Sequence, residues 1–317
     1  MSNRVPTWHT LAKRIFRPDE QVTTSEMLAQ AGLAKWNVRK EPVIYPEGVT
    51  PITKEYMVLR DTPTGIQSLA IVGDKYTPYQ NEDLLSFGDN LLDGGAQWES
   101  AGFFRDGRTI FGALTIDREL TLDPNGANDK TKTYLMVTTS HDGSSSIRAG
   151  VTPVRIICQN TLSLAWKTAK KANQSWSVRH TQGTEGRIAE ARVALKLTHE
   201  YLDEFDIMAR ELFETPITVQ QFDKMYETVY PKPTDQKSSL TLWDKKFDLT
   251  RGLYLSSSTN ANITGTKWGA LNAMTERIDW YRAGDKPISE GLAASASGFE
   301  TAVQQEKARI LEVVKAA

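Results

Sequence analysis

Basic side chains are concentrated in residues 148–196, and this density is the feature of the sequence with the clearest chemical meaning. The segment holds nine basic residues and two acidic ones, Glu185 and Glu190, so its charge is +7 in a chain of net charge −1. Lysines and arginines at this density can follow a phosphate backbone, and Trp166 or Trp176 can stack on bases. We therefore predict phosphate contacts from Arg148, Arg155, Lys167, Lys170, Lys171 and Arg179.

A solvated helix face is the alternative interpretation of the same charge. In this case the basic residues face water and acidic loop residues balance them. Glu82, Asp83, Asp89 and Asp93 are residues of this kind. The sequence leaves both interpretations open.

Two further arginines flank the dipeptide Asp106-Gly107, which is a strong signal for a two-residue hairpin turn. Arg105 and Arg108 would then face each other across the turn. An arginine on a stiff turn reaches a phosphate without the ordering of a long loop, although many such tips serve only solubility. We add Arg105 and Arg108 to the predicted phosphate contacts.

The single cysteine, Cys158, suggests nucleophilic catalysis with His141 or His180 as the base. That chemistry needs a lowered thiol pKa and an oriented histidine, and the sequence establishes neither. A cysteine between Ile157 and a helix start is typical of a small buried side chain. Residues 159–161 (Gln-Asn-Thr) then satisfy the free N–H groups of the helix start, where a phosphate can also bind.

The usual signatures of an enzyme are absent from the sequence. There is no Walker A motif, no Gly-x-Gly-x-x-Gly after a strand and no Gly-x-Ser-x-Gly elbow. The four histidines are too scattered for a metal site, and a lone cysteine excludes an internal disulfide. We predict no catalytic residue, no metal and no cofactor.

The elements that must position the basic residues are those of an α+β fold. Alternating apolar residues and turn signals predict antiparallel hairpins, at 56–60 with 66–72, 97–105 with 108–116, and 133–140 with 146–157, and a strand at 175–178. Helices are predicted at 25–34, 81–92 and 158–171, from 186 for about 27 residues, and at 219–230, 266–282 and from 299. The long helix carries a heptad-like stripe, so we expect it to pack on another long helix in the same chain or in a neighbouring subunit.

Three regions are predicted along the chain. Residues 1–50 form a lead-in, residues 51–215 an α+β core with the basic segment, and residues 216–317 a helical region with a small-residue linker near 284–298. The terminus lacks a signal peptide and no stretch is long and apolar enough for a membrane span, so we expect a cytoplasmic protein without a membrane partner.

Three segments resemble motifs of the phage/plasmid-like protein family. They are Gly-Asp-Lys-Tyr-Thr-Pro-Tyr-Gln-Asn at 73–81, Ser-His-Asp-Gly-Ser at 140–144 and Pro-Val-Arg-Ile-Ile-Cys-Gln-Asn-Thr-Leu at 153–162. The resemblance covers about residues 25–285 of the chain. The family consists of phage, plasmid and bacterial proteins and has no agreed enzymatic role. The order of elements is also similar to that of phage single-strand annealing proteins, which form rings that hold single-stranded DNA in a basic groove. This second similarity is an analogy of fold.

The charge and the resemblance together predict an oligomeric protein, a ring or filament, that binds single-stranded DNA independently of sequence. One alternative is a protein-interaction module that acts on a host or phage protein. The other is a nucleic-acid-processing enzyme that uses His141, Asp142 or Cys158.

Overall fold

The computed structural model describes residues 5–48, 50–86, 95–123, 126–157, 159–161, 175–178, 198–234, 237–282 and 301–317. Within them the chain has the predicted α+β class, with antiparallel strands in two sheets and helices concentrated in the C-terminal third. The strands are β1 (Ala12–Ile15), β2 (Arg39–Ile44), β3 (Pro51–Thr62), β4 (Gly65–Gly73), β5 (Gln97–Phe104), β6 (Thr109–Leu122), β7 (Asp129–Ser140), β8 (Ile147–Arg155), β9 (Asn160–Thr161) and β10 (Ser175–Val178). The helices are α1 (Thr24–Gln30), α2 (Asn81–Leu85), α3 (Thr198–Glu214), α4 (Val219–Val229), α5 (Lys237–Ser256), α6 (Lys267–Trp280) and α7 (Thr301–Ala316).

The large sheet has the strand order β1, β5, β6, β7, β8, β10, and the short strand β9 pairs with the far end of β8. All of these pairings are antiparallel. The predicted hairpins at 97–116 and 133–157 are confirmed as β5–β6 and β7–β8. The predicted strand at 175–178 is confirmed as β10.

The small sheet has the order β2, β3, β4 and contains the predicted hairpin whose strands are joined at Thr62 and Gly65. One face of this sheet buries Val58 and Leu69. The other face meets solvent. This sheet therefore joins the core through one side only, as antiparallel sheets commonly do.

The loop between β5 and β6 differs from the predicted two-residue turn. Phe104 pairs with Thr109, so the four residues 105–108 connect the strands. Within the loop, Arg105–Gly107 form a short 3-10 turn in which all three residues have positive φ angles, of 52°, 56° and 86°. The Asp-Gly signal correctly marks a hairpin, but Arg105 belongs to the loop and not to the last rung of the ladder.

The helix predicted at residues 158–171 does not begin where the sequence placed it. The N–H of Gln159 donates to the Arg155 carbonyl at 2.8 Å, and the φ angle of Gln159 is 55°. This turn sends the chain back along β8, so Asn160–Thr161 form a strand and not a helix start. The rest of the predicted helix, with Cys158, lies outside the described residues.

The stripe predicted from residue 186 onward is described from Thr198, where α3 begins. Its residues Leu202, Phe205 and Ala209 are buried. Phe205 meets Trp268 of α6 edge to face, with ring centroids 6.2 Å apart. Of the two predicted kinds of partner, the described part of the stripe therefore packs against the one in the same chain.

The remaining helices follow the sequence with one exception. Helices α1, α4 and α6 and the described portions of α2 and α7 match predicted helices, and Thr23 begins α1 with a capping box to Glu26. The exception is α5, a segment for which the sequence analysis predicts no helix. Its core-facing side has Trp243, Phe247, Thr250 and Tyr254 at helical spacing. The polar threonine within this row, and the exposed Leu242 and Leu249 outside it, obscure the pattern in the sequence. The predicted linker at 284–298 lies outside the described residues.

Apolar side chains fill both faces of the large sheet. Leu135 and Val137 project toward the helices, whereas Tyr134 and Met136 project to the opposite face, where Trp8 covers them. Strands that are buried on both faces lack the alternation of apolar and polar residues that marks the inward side of a half-exposed strand. No helix in the described part of the chain combines the length and the apolar character that crossing a bilayer requires.

Candidate nucleic-acid interface

Strand β8 carries two of the predicted phosphate contacts, and its register separates them. Arg148 pairs with Thr138 and Arg155 pairs with Thr131, in a ladder without interruption. The two arginines are seven residues apart, and successive side chains of a strand alternate between faces. Arg148 and Arg155 therefore project from opposite faces of the sheet and cannot follow one phosphate backbone together.

Arg155 lies in the protein interior, with 0% of its surface exposed. Its guanidinium forms an ion pair with Asp129, which is also fully buried, at 2.7 Å from the nearer oxygen. The remaining acceptors are the Thr259 carbonyl at 2.5 Å, Asn260 Oδ1 at 3.2 Å and Asn262 Oδ1 at 2.9 Å. This environment does not fit the predicted phosphate contact, because every face of the guanidinium is held by protein.

Asp129 is the centre of this buried network. Besides Arg155 it accepts hydrogen bonds from Trp268 Nε1 at 2.8 Å and from Asn262 Nδ2 at 3.2 Å. Trp268 belongs to α6, and Asn262 belongs to the loop before it. The network thus ties the ends of β7 and β8 to the C-terminal helices, and its role is to position these elements.

Arg148 has a different environment on the opposite face of β8. It is half-buried, and burial lowers the pKa of its guanidinium. Its strand neighbours are Thr138 on β7 and Ser177 on β10. Because the side chain is only half-buried, an anion at the surface can form charge-assisted hydrogen bonds with the guanidinium.

The loop between β5 and β6 presents Arg105 and Arg108 to solvent. The carbonyl of Arg108 accepts a hydrogen bond from the His141 N–H at 2.7 Å. The Asp106 carbonyl accepts one from Gln67 Nε2 at 3.0 Å. These bonds anchor the loop to the β7–β8 connection and to the small sheet.

Gly107 anchors the same loop by close approach to Arg60. A Cβ atom at this glycine would lie 2.6 Å from Cζ of Arg60. Arg60 in turn lies over the Trp36 ring, 3.8 Å from its centroid, and donates to Gln67 Oε1 at 2.8 Å. The φ angle of 86° favours glycine here, and any side chain would also displace the Arg60 guanidinium. The arginine-bearing tip is therefore stiff.

The tip and Arg148 occupy the same end of the large sheet. Phe111, Thr138 and Arg148 lie in one row across β6, β7 and β8. Arg108 precedes that row by three residues, so strand geometry places its backbone roughly 10 Å along and roughly 10 Å across from that of Arg148. The interface that we consider below is this sheet end, defined by Arg105, Arg108 and Arg148. Lys167, Lys170, Lys171 and Arg179 lie outside the described residues.

Of the residues considered for nucleophilic catalysis, Cys158 and His180 lie outside the described residues. His141 is buried, and its Nε2 lies 2.9 Å from Asn81 Oδ1. Asn81 also donates to the Leu33 carbonyl at 2.7 Å. His141 therefore belongs to a bridge between α2 and the β7–β8 connection.

A carboxylate that the sequence analysis did not single out lies beside a cavity of about 410 Å³. Glu99 lines this cavity and accepts hydrogen bonds from Trp8 Nε1 at 3.2 Å and Ser100 Oγ at 2.6 Å, and its second oxygen contacts His9 Nε2. Burial, with the charge of Glu99, raises the pKa of Tyr134. His9 and Glu99 are 90 residues apart, so no local motif could have revealed them. With both oxygens engaged, Glu99 anchors the N-terminal segment to β5.

No group of histidine, cysteine and acidic residues that could hold a metal ion occurs in the described part of the chain. The fold and the site together define an α+β protein with a stiff arginine tip and a buried ion pair that ties sheet to helices. The chain belongs to the family described as Domain of unknown function (DUF932), whose model matches residues 68–310. That range contains the last six residues of β4, strands β5 to β10, helices α2 to α6 and part of α7. Neither the curated proteins nor the solved structures compared with the chain include a match.

Proposed function

We propose that this protein binds single-stranded nucleic acid through its phosphates, with DNA of a phage or plasmid recombination process as the substrate. The observation that carries the proposal is the stiff tip with exposed Arg105 and Arg108, at the sheet end where the +7 segment of residues 148–196 begins. Arg148, the first residue of that segment, lies on the same sheet end. Contacts to phosphate fix a strand in place without reading its bases, so binding is independent of sequence.

Arginine suits this role because its planar guanidinium matches the geometry of a phosphate and keeps its charge. The network around Gly107 holds the tip in place before binding, so little conformational entropy is lost when the strand arrives. Lys167, Lys170, Lys171 and Arg179 extend the proposed phosphate contacts along the chain. Arg155 is left out of the set because it is buried.

A titration of fluorescently labelled oligothymidylate with the protein tests the proposal. At about 50 mM salt the anisotropy should rise with protein concentration, and at about 200 mM salt the affinity should fall by a factor of ten or more. Absence of binding at the lower salt concentration would reject the proposal. Equal binding of an oligomer of different sequence is also expected.

The basic segment is tested by the double substitution Lys167→Glu with Lys170→Glu. We expect the loss of at least nine tenths of the binding, with an unchanged circular dichroism spectrum. The matched control is Lys224→Glu with Lys245→Glu, which also reverses two lysine charges, at exposed positions on α4 and α5. If both double variants bind equally well, the basic segment is not the binding surface.

Assembly into a ring or filament is part of the proposed function. We would measure the particle mass with and without oligothymidylate. If one strand spans several subunits, the mass of the complex should increase by whole multiples of the chain mass. A particle that remains a single chain with one bound strand would exclude annealing through a ring or filament.

Protein interaction is the second candidate function, and an observation favours it. Ile44, Tyr45, Ile66 and Ile71 are exposed apolar residues in or beside the small sheet. Exposed large apolar residues on one sheet are candidates for contact with another protein. Recovery of a stoichiometric protein partner after nuclease treatment, without affinity for oligothymidylate, would support this function over the first.

A further inference from the structure

The outer edge of β4 is an unusual sheet edge. Strand β4 pairs with β3 only among the described strands, so within the described part of the chain its other side has no backbone partner. Gly65–Gly73 contains nine residues with no charge and no proline. Its side chains Ile66 and Ile71 are 66% and 57% exposed. A long, uncharged and apolar edge is a template for pairing with another strand.

The other sheet edges in the described part of the chain carry protection that β4 lacks. Strand β2 contains Pro42, which has no N–H to donate, and three charged residues, Arg39, Lys40 and Glu41. Strands β1 and β10 are only four residues long. Short strands, charge, proline and β-bulges are the common defences of an edge. Of these, β4 has only a bulge, and because that bulge leaves Ile66 and Ile71 exposed, we infer that this edge is used.

A register shift in β4 determines which side chains face outward. Leu59 pairs with Ser68 and Val58 pairs with Ala70, so Leu69 is the extra residue of a bulge. Leu69 is buried. The bulge brings Ile66 and Ile71 to the same outer face although they are five positions apart.

This pattern is self-complementary. In an antiparallel pair of two β4 strands around a two-fold axis, Ile66 of one copy lies opposite Ile71 of the second copy, and the same contact is repeated on the other side of the axis. Apolar residues directly opposite each other stabilise an antiparallel pair, and no like charges meet. We propose that two copies of this chain associate through β4 in this register and form a continuous six-stranded sheet from their two small sheets. The proposal does not depend on nucleic-acid binding.

Mass measurements across a range of protein concentrations test the association in the absence of nucleic acid. The wild-type chain should approach twice the chain mass as concentration rises. Ile71→Lys should raise the dissociation constant at least tenfold, because two lysines would enter the paired faces. The control Ile207→Lys replaces an isoleucine on α3 that is also more than half exposed, and it should leave the dissociation constant unchanged. A wild-type chain that stays monomeric, or an equal effect of both substitutions, would overturn the proposal.

The register is tested by cross-linking in a background with Cys158→Ala. The double variant Ile66→Cys with Ile71→Cys should form covalent dimers under mild oxidation, since directly opposite Cβ atoms are about 5 Å apart. Ile66→Cys alone and Ile71→Cys alone should not cross-link, because each then faces an isoleucine and lies roughly 16 Å from its own counterpart. Efficient cross-linking of either single variant, or none of the double variant, would contradict the two-fold register.

Discussion

The two ends of the large sheet carry arginines in opposite environments. At one end Arg105 and Arg108 lie on an exposed loop that is held from behind by Arg60 and Gln67. At the other end Arg155 is sealed between the sheet and the helices and is neutralised by Asp129. The same residue type thus serves recognition at one end, in our proposal, and architecture at the other. The burial of an arginine and its register in the strand determine which role it has, whereas the density of basic residues around it in the sequence does not.

The largest effect is expected from breaking the buried end. Arg155→Ala leaves the Asp129 carboxylate buried without its counter-charge, which should lower the free energy of unfolding by about 3 to 5 kcal/mol. Chemical denaturation measures this loss. The matched control is Arg148→Ala on the opposite face of the same strand, which leaves no buried carboxylate unpaired and should cost about 1 kcal/mol or less. Equal losses would contradict the contrast between the two faces.

A second effect is expected at the exposed end, on binding and not on stability. Arg105→Glu with Arg108→Glu should weaken binding to oligothymidylate at least tenfold, because it replaces two attractive charges with two repulsive ones. The midpoint of thermal unfolding should stay within a few degrees, since both side chains are exposed. Binding that is unchanged would remove the tip from the interface.

The smallest effect sharpens the description of the tip as stiff. Gly107→Ala should destabilise the fold by about 1 kcal/mol more than Gly48→Ala. Both glycines have φ angles near 85°, but only Gly107 faces Arg60 at short range. The difference in unfolding free energy between the two variants isolates that contact. If both variants lose the same stability, the Arg60 guanidinium moves aside freely and the tip is not held by it.

Much of the sheet could be predicted from the sequence, because the turn of a hairpin is determined by residues that are adjacent in the sequence. The dipeptide Asp106-Gly107 and the run Thr62–Gly65 lie between alternating segments, and both connections are confirmed. The loop length was wrong because the left-handed conformation extends back to Arg105. That conformation depends on contacts with distant residues such as Gln67, which the local sequence does not reveal.

The burial of Arg155 could not be predicted either, and the reason is different. Strand β8 is buried on both faces over most of its length, so its sequence has no alternation that tells one side from the other. The partner Asp129 is 26 residues away in another strand. In the sequence Arg155 therefore looked like the other basic residues of the segment. Only the register between β7 and β8 shows that it lies on the opposite face of the sheet from Arg148.

The central claim is that the arginine tip contacts phosphates, and the salt dependence of binding tests it most directly. For a single strand, the slope of log affinity against log salt concentration changes by about 0.7 for each phosphate contact. Substitution of Arg105 and Arg108 by alanine should therefore make the slope shallower by about 1.4, as two contacts are lost. An unchanged slope in that variant, or a wild-type protein whose affinity does not depend on salt, would contradict the account.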